Sequence, residues 1–154
     1  MKNFFSLLFK KDNWFSREEA SMIEKAISEA ERQTSGEIRI YIESRCSFMN
    51  PVDRAVELFE ELGMTQTAER NGVLIYLAMK DHQFAVIGDK GIHEKVGPEF
   101  WEEEVKKMLT DFRNNHLVEG LKHLIEDIGE ALKHHFPYTG QDKNELPDQM
   151  LFGK

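Results

Sequence analysis

The apolar positions of this chain change period several times, and each change marks an element. Ser16-Arg17-Glu18-Glu19 has the form of a capping box, with the serine accepting from a first-turn amide and the glutamate reaching back. Ala20, Ile23, Ile27 and Ala30 follow at helical spacing, and Thr34-Ser35-Gly36 marks the stop. Ile38, Ile40 and Ile42 then alternate with Glu37, Arg39, Tyr41 and Glu43. That alternation predicts a strand with one dry face and one mixed face, nearer a sheet edge than the strand after it. Asn50-Pro51 opens a second helix, with Ala55, Val56, Phe59 and Leu62 as its buried stripe. The unbroken apolar run over 73–78 predicts a central strand buried on both faces. Lys80-Asp81-His82-Gln83 is a turn, and 84–87 returns as a third strand.

Residues 92–96 form a short amphipathic piece. Gly97-Pro98 starts a long helix to about 113, packed through Phe100, Trp101, Val105, Met108, Leu109 and Phe112. Its acids come early and its bases late, as the helix dipole favours. A last helix over 116–135 places Leu117, Leu121, Leu124, Ile128 and Leu132 on one face. The order is α-β-α-β-β-α-α. A right-handed crossover joins parallel strands one and two, and strand three returns antiparallel. The fold class is therefore α/β, a three-layer sandwich of a mixed sheet with helices on both faces.

Composition narrows this picture without changing it. With 154 residues, 40% apolar and 31% charged, the chain suits one domain. The expected division is a short amphipathic N-terminal segment (1–15), an α/β domain (16–136) and a tail (137–154) packed on the surface. A formal charge of −8 argues against nucleic acid as a partner, which needs clustered Lys and Arg. It is compatible with divalent cations. The single cysteine, Cys46, excludes an intramolecular disulfide and favours a reducing compartment. The N-terminal apolar stretch is too short for a membrane span, so the expected location is cytoplasmic. Phe4, Phe5, Leu8 and Phe9 share one face that could touch a membrane surface or a protein partner.

Topology gathers the polar groups. Strands one and two start at the same rim, and strand three ends there. Ser35-Gly36-Glu37, Arg70-Asn71-Gly72 and Gly88-Asp89-Lys90-Gly91 therefore converge. Glu37, Asn71 and Asp89 offer oxygen donors that suit Ca2+ or Mg2+. Arg70 could instead clamp a carboxylate or phosphate, or pair with Glu37 or Asp89. Gly72, Gly88 and Gly91 allow close backbone approach to a ligand. The opposite rim, with Ser44, Arg45, Cys46, Asp81 and His82, is the weaker candidate. No HExxH, CxxC, phosphate loop or dinucleotide fingerprint occurs, so no organic cofactor is expected.

These motifs, taken in order, resemble the TPM domain family, named for a thylakoid lumen protein, a photosystem II repair protein and an acetylcholine-receptor modulator. The resemblance covers about 16–136, and the ending Asn144-Glu145-Leu146-Pro147-Asp148 is similar to a soluble bacterial branch. It implies a mixed sheet between helices, and either an accessory or binding role with a divalent cation or a metal-assisted acid phosphatase activity. Carried over by position, the motif residues are Glu37, Arg70, Asn71, Gly72, Gly88, Asp89 and Gly91. A protein- or membrane-surface interaction domain is the third reading.

Overall fold

The computed structural model describes residues 14–140 and 150–153. Phe4, Phe5, Leu8 and Phe9, and the Asn144-to-Asp148 motif, lie outside the described residues. Along the chain run α1 (Arg17–Glu31), β1 (Glu37–Glu43), α2 (Pro51–Glu61), β2 (Gly72–Ala78), β3 (Gln83–Gly88), α3 (Lys90–Val96), α4 (Pro98–Arg113), α5 (Leu117–His135) and β4 (Met150–Phe152). The capping box forms as expected: Glu19 N donates to Ser16 Oγ at 3.0 Å, and Ser16 N donates to Glu19 Oε1 at 2.9 Å. Asp53 N donates to Asn50 Oδ1 at 2.8 Å, which starts α2 on Pro51.

The sheet order is β3-β2-β1-β4. β1 and β2 are parallel, with Glu37 beside Gly72, and β2 and β3 are antiparallel, with Val73 beside Gly88. The expected architecture is therefore present, with two additions. The piece after Gly88 is a full short helix, α3. The last apolar residues are not a surface cover: Met150–Phe152 pairs parallel with Ile40–Ile42, and Met150 is fully buried. β4 thus takes the outer edge, and β1 is an interior strand rather than a near-edge one. A three-residue strand is too short to carry a readable period.

The two faces of the sheet are unlike. Ile38, Ile40, Ile42, Val73, Ile75, Leu77, Phe84 and Val86 pack against α1, α4 and α5. On the other side Leu74, Tyr76, Ala78 and Ala85 meet Ala55, Leu58 and Phe59 of α2. The buried stripe expected for α2 is corrected at one place: Leu58 is buried and Val56 is 47% exposed. α2 sits over β2 and β3, and this rolls Val56 off the flank of the interface.

Candidate functional site

The three polar segments meet on the rim where β1 and β2 begin. Glu37 N donates to Asn71 O at 3.4 Å, Asp89 N to Gly72 O at 2.9 Å and Gly91 N to Arg70 O at 2.8 Å. A Cβ on Gly91 would lie 2.2 Å from Glu69 O, and one on Gly88 would lie 2.4 Å from Trp101 Cζ2. Gly91 is thus fixed by backbone approach and Gly88 by α4 packing.

Arg70 adopts a left-handed backbone (φ 53), uncommon outside glycine. From there Nε donates to Asp89 Oδ2 at 2.6 Å and Nη2 to Oδ1 at 2.8 Å, a bidentate pair. Asp89 Oδ1 also accepts from Lys90 N at 2.8 Å and caps α3. The Asp89 side chain is buried, whereas that of Arg70 is 36% exposed. Hydrogen bonding to Asp89 is the first cause holding the Arg70 guanidinium pKa above its ordinary value.

Glu37 turns elsewhere. Its Oε1 accepts from Arg39 Nη2 at 2.8 Å, and Arg39 Nη1 donates to Glu31 Oε2 at 2.8 Å and Ile38 O at 2.7 Å. Glu31 Oε2 also accepts from Ile38 N at 2.7 Å. β4 begins only opposite Ile40, so Glu31 takes the strand amide that a longer β4 would have bonded. Arg39 is 1% exposed. An arginine expected only as part of a mixed face is the buried centre of an ion network that joins it to Glu31 and Glu37.

Asn71 is also buried. Its Nδ2 donates to Ser35 Oγ at 3.1 Å, and Ser35 Oγ donates to Glu69 Oε2 at 2.7 Å. Asn71 Oδ1 has no hydrogen-bond partner among the described residues. Among those residues, no group of three His, Cys, Asp or Glu side chains is arranged to hold a metal ion. The rim therefore assembles Glu37 at the start of β1, Asn71 just before β2 and Asp89 just after β3, but each carboxylate faces an arginine, and Asn71 supplies the spare acceptor.

The TPM domain pattern matches residues 8–131. The chain belongs to the TPM domain family. It is similar to the BA42 protein of the psychrophilic bacterium Bizionia argentinensis, whose NMR structure it matches with a TM-score of 0.84 at 37% identity, over 93% of this chain and 98% of that one. It shares a fold with the N-terminal domain of cg2496 from Corynebacterium glutamicum at a TM-score of 0.63 and 12% identity, over 92% of this chain and 82% of that one. No curated protein matches the sequence.

In this TPM domain the opposite rim is closed rather than open. Arg45 Nη1 donates to Asp81 Oδ1 at 3.0 Å, and Cys46 N donates to Asp81 Oδ2 at 2.7 Å. Behind them, Glu43 accepts from the Tyr76 hydroxyl and from Arg54 Nε (2.9 Å) and Nη2 (3.1 Å). Burial, then the bond to Glu43, pushes the Tyr76 hydroxyl pKa upward. Cys46 is buried and its Sγ donates to Met49 O at 3.2 Å, which agrees with a packing role. One signal could have exposed both networks. β1 interleaves Glu37, Arg39 and Glu43 with isoleucines, and a strand covered on both sides must pair such charges.

A further buried acid, Glu104, faces α5 across a groove of about 340 Å³ that Asp111, His123 and Asp127 also line. Burial, and then the hydrogen bond with Asp127, raise its pKa to about 7. Lys107 Nζ lies 3.4 Å from Glu104 Oε2 and 3.3 Å from Asp127 Oδ2.

Proposed function

We propose that this TPM domain is a binding or accessory module that takes a divalent cation, Ca2+ or Mg2+, at the rim where β1 and β2 begin. Glu37, Asn71 and Asp89 supply its oxygen donors. Arg70 and the glycines at 72, 88 and 91 shape the approach. The observation that supports this reading is Asn71 Oδ1. A buried acceptor without a partner costs about 1–3 kcal/mol, and a hard cation would satisfy it. Asp89 can join when Arg70 swings into solvent, because the Lys90 amide still holds the carboxylate. Arg39 has no such exit, so Asn71 and Asp89 carry more of the binding than Glu37. One buried cysteine and the lack of any helix long and apolar enough to cross a membrane among the described residues are compatible with a cytoplasmic setting.

The test is titration with Ca2+ and with Mg2+, followed by amide NMR. Amides of Ser35, Asn71, Asp89 and Gly91 should shift, and Asp89→Asn should weaken binding by roughly tenfold. Shifts confined to other parts of the molecule would remove the reading. The half-exposed Arg70 guanidinium favours a second reading, a metal-assisted phosphomonoesterase in which Arg70 holds phosphate oxygens and a carboxylate orients water. Turnover of a chromogenic phosphomonoester that persists in both Glu37→Gln and Asp89→Asn would exclude this rim as its active site.

A further inference from the structure

Among the described residues, β3 is an edge strand whose outer side is open to pairing. Asp89 N bonds to Gly72 O, and the antiparallel register continues through Leu74 with Ile87, Tyr76 with Ala85 and Ala78 with Gln83. In such a ladder every second residue bonds the neighbour, so Phe84, Val86 and Gly88 turn their N–H and C=O groups outward. Those outward groups have no hydrogen-bond partner from the backbone or a side chain among the described residues. Protein edges are usually guarded by lysine, proline or a bulge. Gln83–Gly88 has no charge and no proline, and its pairing with β2 runs without interruption.

Beside that edge lies an apolar stripe. Val52 and Val56 are 52% and 47% exposed, one turn apart on α2. Arg54 leaves the opposite flank of α2 to reach Glu43 of β1. At 100° per residue Val52 and Val56 point away from Arg54, so their flank overhangs the β3 side. Two more apolar residues are exposed just before the helix. Met49 is 36% exposed, and Phe48 is fully exposed on a left-handed backbone (φ 68). The chain around Phe48 is pinned by Cys46 N on Asp81 and by Cys46 Sγ on Met49 O, so this conformation is imposed from both sides.

Charge decides the occupant. The exposed arc of α2 next to the valines carries Asp53 and Glu60, and the chain has net charge −8. A second copy joined edge to edge would bring two such arcs together. A basic strand would complement them. We propose that β3 and the outer flank of α2 form a docking surface for an extended segment of another protein, with apolar residues at alternate positions and lysine or arginine between or beside them. It adds as a fifth strand outside β3. Its main chain pairs with Phe84, Val86 and Gly88, one row of its side chains lies on Val52 and Val56, and its bases face the α2 acids.

The probe is a short, end-capped peptide alternating lysine with valine or isoleucine, added to the full chain. On binding, amide exchange at Phe84, Val86 and Gly88 should slow by roughly tenfold or more, while Ala85 and Ile87, already bonded to β2, change little. Val52→Lys with Val56→Lys, both at exposed sites, should weaken binding by at least roughly tenfold. N-methylation of the peptide amides that face β3 should abolish binding. The proposal is overturned if the N-methylated peptide binds as well, if glutamate in place of lysine makes no difference, or if the protected amides lie elsewhere. It is also overturned if protein concentration alone, or vesicles of anionic phospholipid alone, protect the same three amides.

Discussion

The two faces of this sheet solve different problems with the same strand. Toward α1, α4 and α5, β1 presents Ile38, Ile40 and Ile42, and the interface is aliphatic. Toward α2 it presents Glu37, Arg39, Tyr41 and Glu43, of which Tyr41 alone is only partly buried. The first face is held by area removed from water, which is tolerant of detail. The second is held by matched charge, which is intolerant of losing one member. This contrast in how the faces are held explains the place of the candidate site. Both β1 carboxylates on that face, Glu37 and Glu43, have a guanidinium, so the groups open to a new ligand are those at the rim: the Asn71 side-chain oxygen, and Asp89 behind a partly exposed Arg70.

Removing the middle of the ion network should have the largest effect. Arg39→Met leaves Glu31 and Glu37 without their buried cation, and urea unfolding should show a loss of about 3–5 kcal/mol. On the aliphatic face, Ile40→Ala removes a fully buried side chain, with an expected loss of roughly 2–5 kcal/mol by the same measurement. If Arg39→Met cost no more than a surface change, the contrast between the faces would collapse. Tyr76→Phe separates the hydroxyl from the ring. It should cost about 1.5–3 kcal/mol, because Glu43 loses a buried donor, and Tyr76→Phe with Glu43→Gln together should cost less than their sum.

Glu104 is a buried acid on the aliphatic side of the molecule, and it supplies a pH test. Its folded pKa, raised to about 7 chiefly by burial, exceeds the ordinary value of 4.5. Between those values the folded state binds more protons than the unfolded chain. This contribution is therefore complete below about 4.5 and is lost as pH rises toward about 7. Glu104→Gln should flatten the fall in stability across that window and gain roughly 1–3 kcal/mol relative to the parent at pH 8. An unchanged slope would mean that Glu104 does not control stability in that window. The smallest effect belongs to Arg45→Ala. That side chain is 63% exposed, and the loss should stay within about 0–1 kcal/mol, since Asp81 keeps its bond from Cys46 N.

Much of the fold was legible in the chain. The isoleucine alternation of β1, the continuous run of β2, the capping box and Asn50-Pro51 each state a local conformation through local chemistry. The convergence of the segments that carry Glu37, Asn71 and Asp89 followed from topology alone, because a parallel crossover and a hairpin return leave few alternatives. Val56 was misplaced because helical spacing fits a valine at the margin of the stripe as well as at its centre. β4 was invisible because three residues cannot show a period, and its partner lies more than a hundred residues earlier.

Local pattern therefore set every element but β4, their order and the rim on which the polar motifs gather, since period and capping act between neighbours in the chain. Tertiary structure alone decided which charges meet: Glu37 with Arg39 rather than Arg70, Asp89 with Arg70, and Asn71 Oδ1 with no partner among the described residues. Pairing depends on side-chain direction and on what covers each strand, and those are set only when distant elements pack.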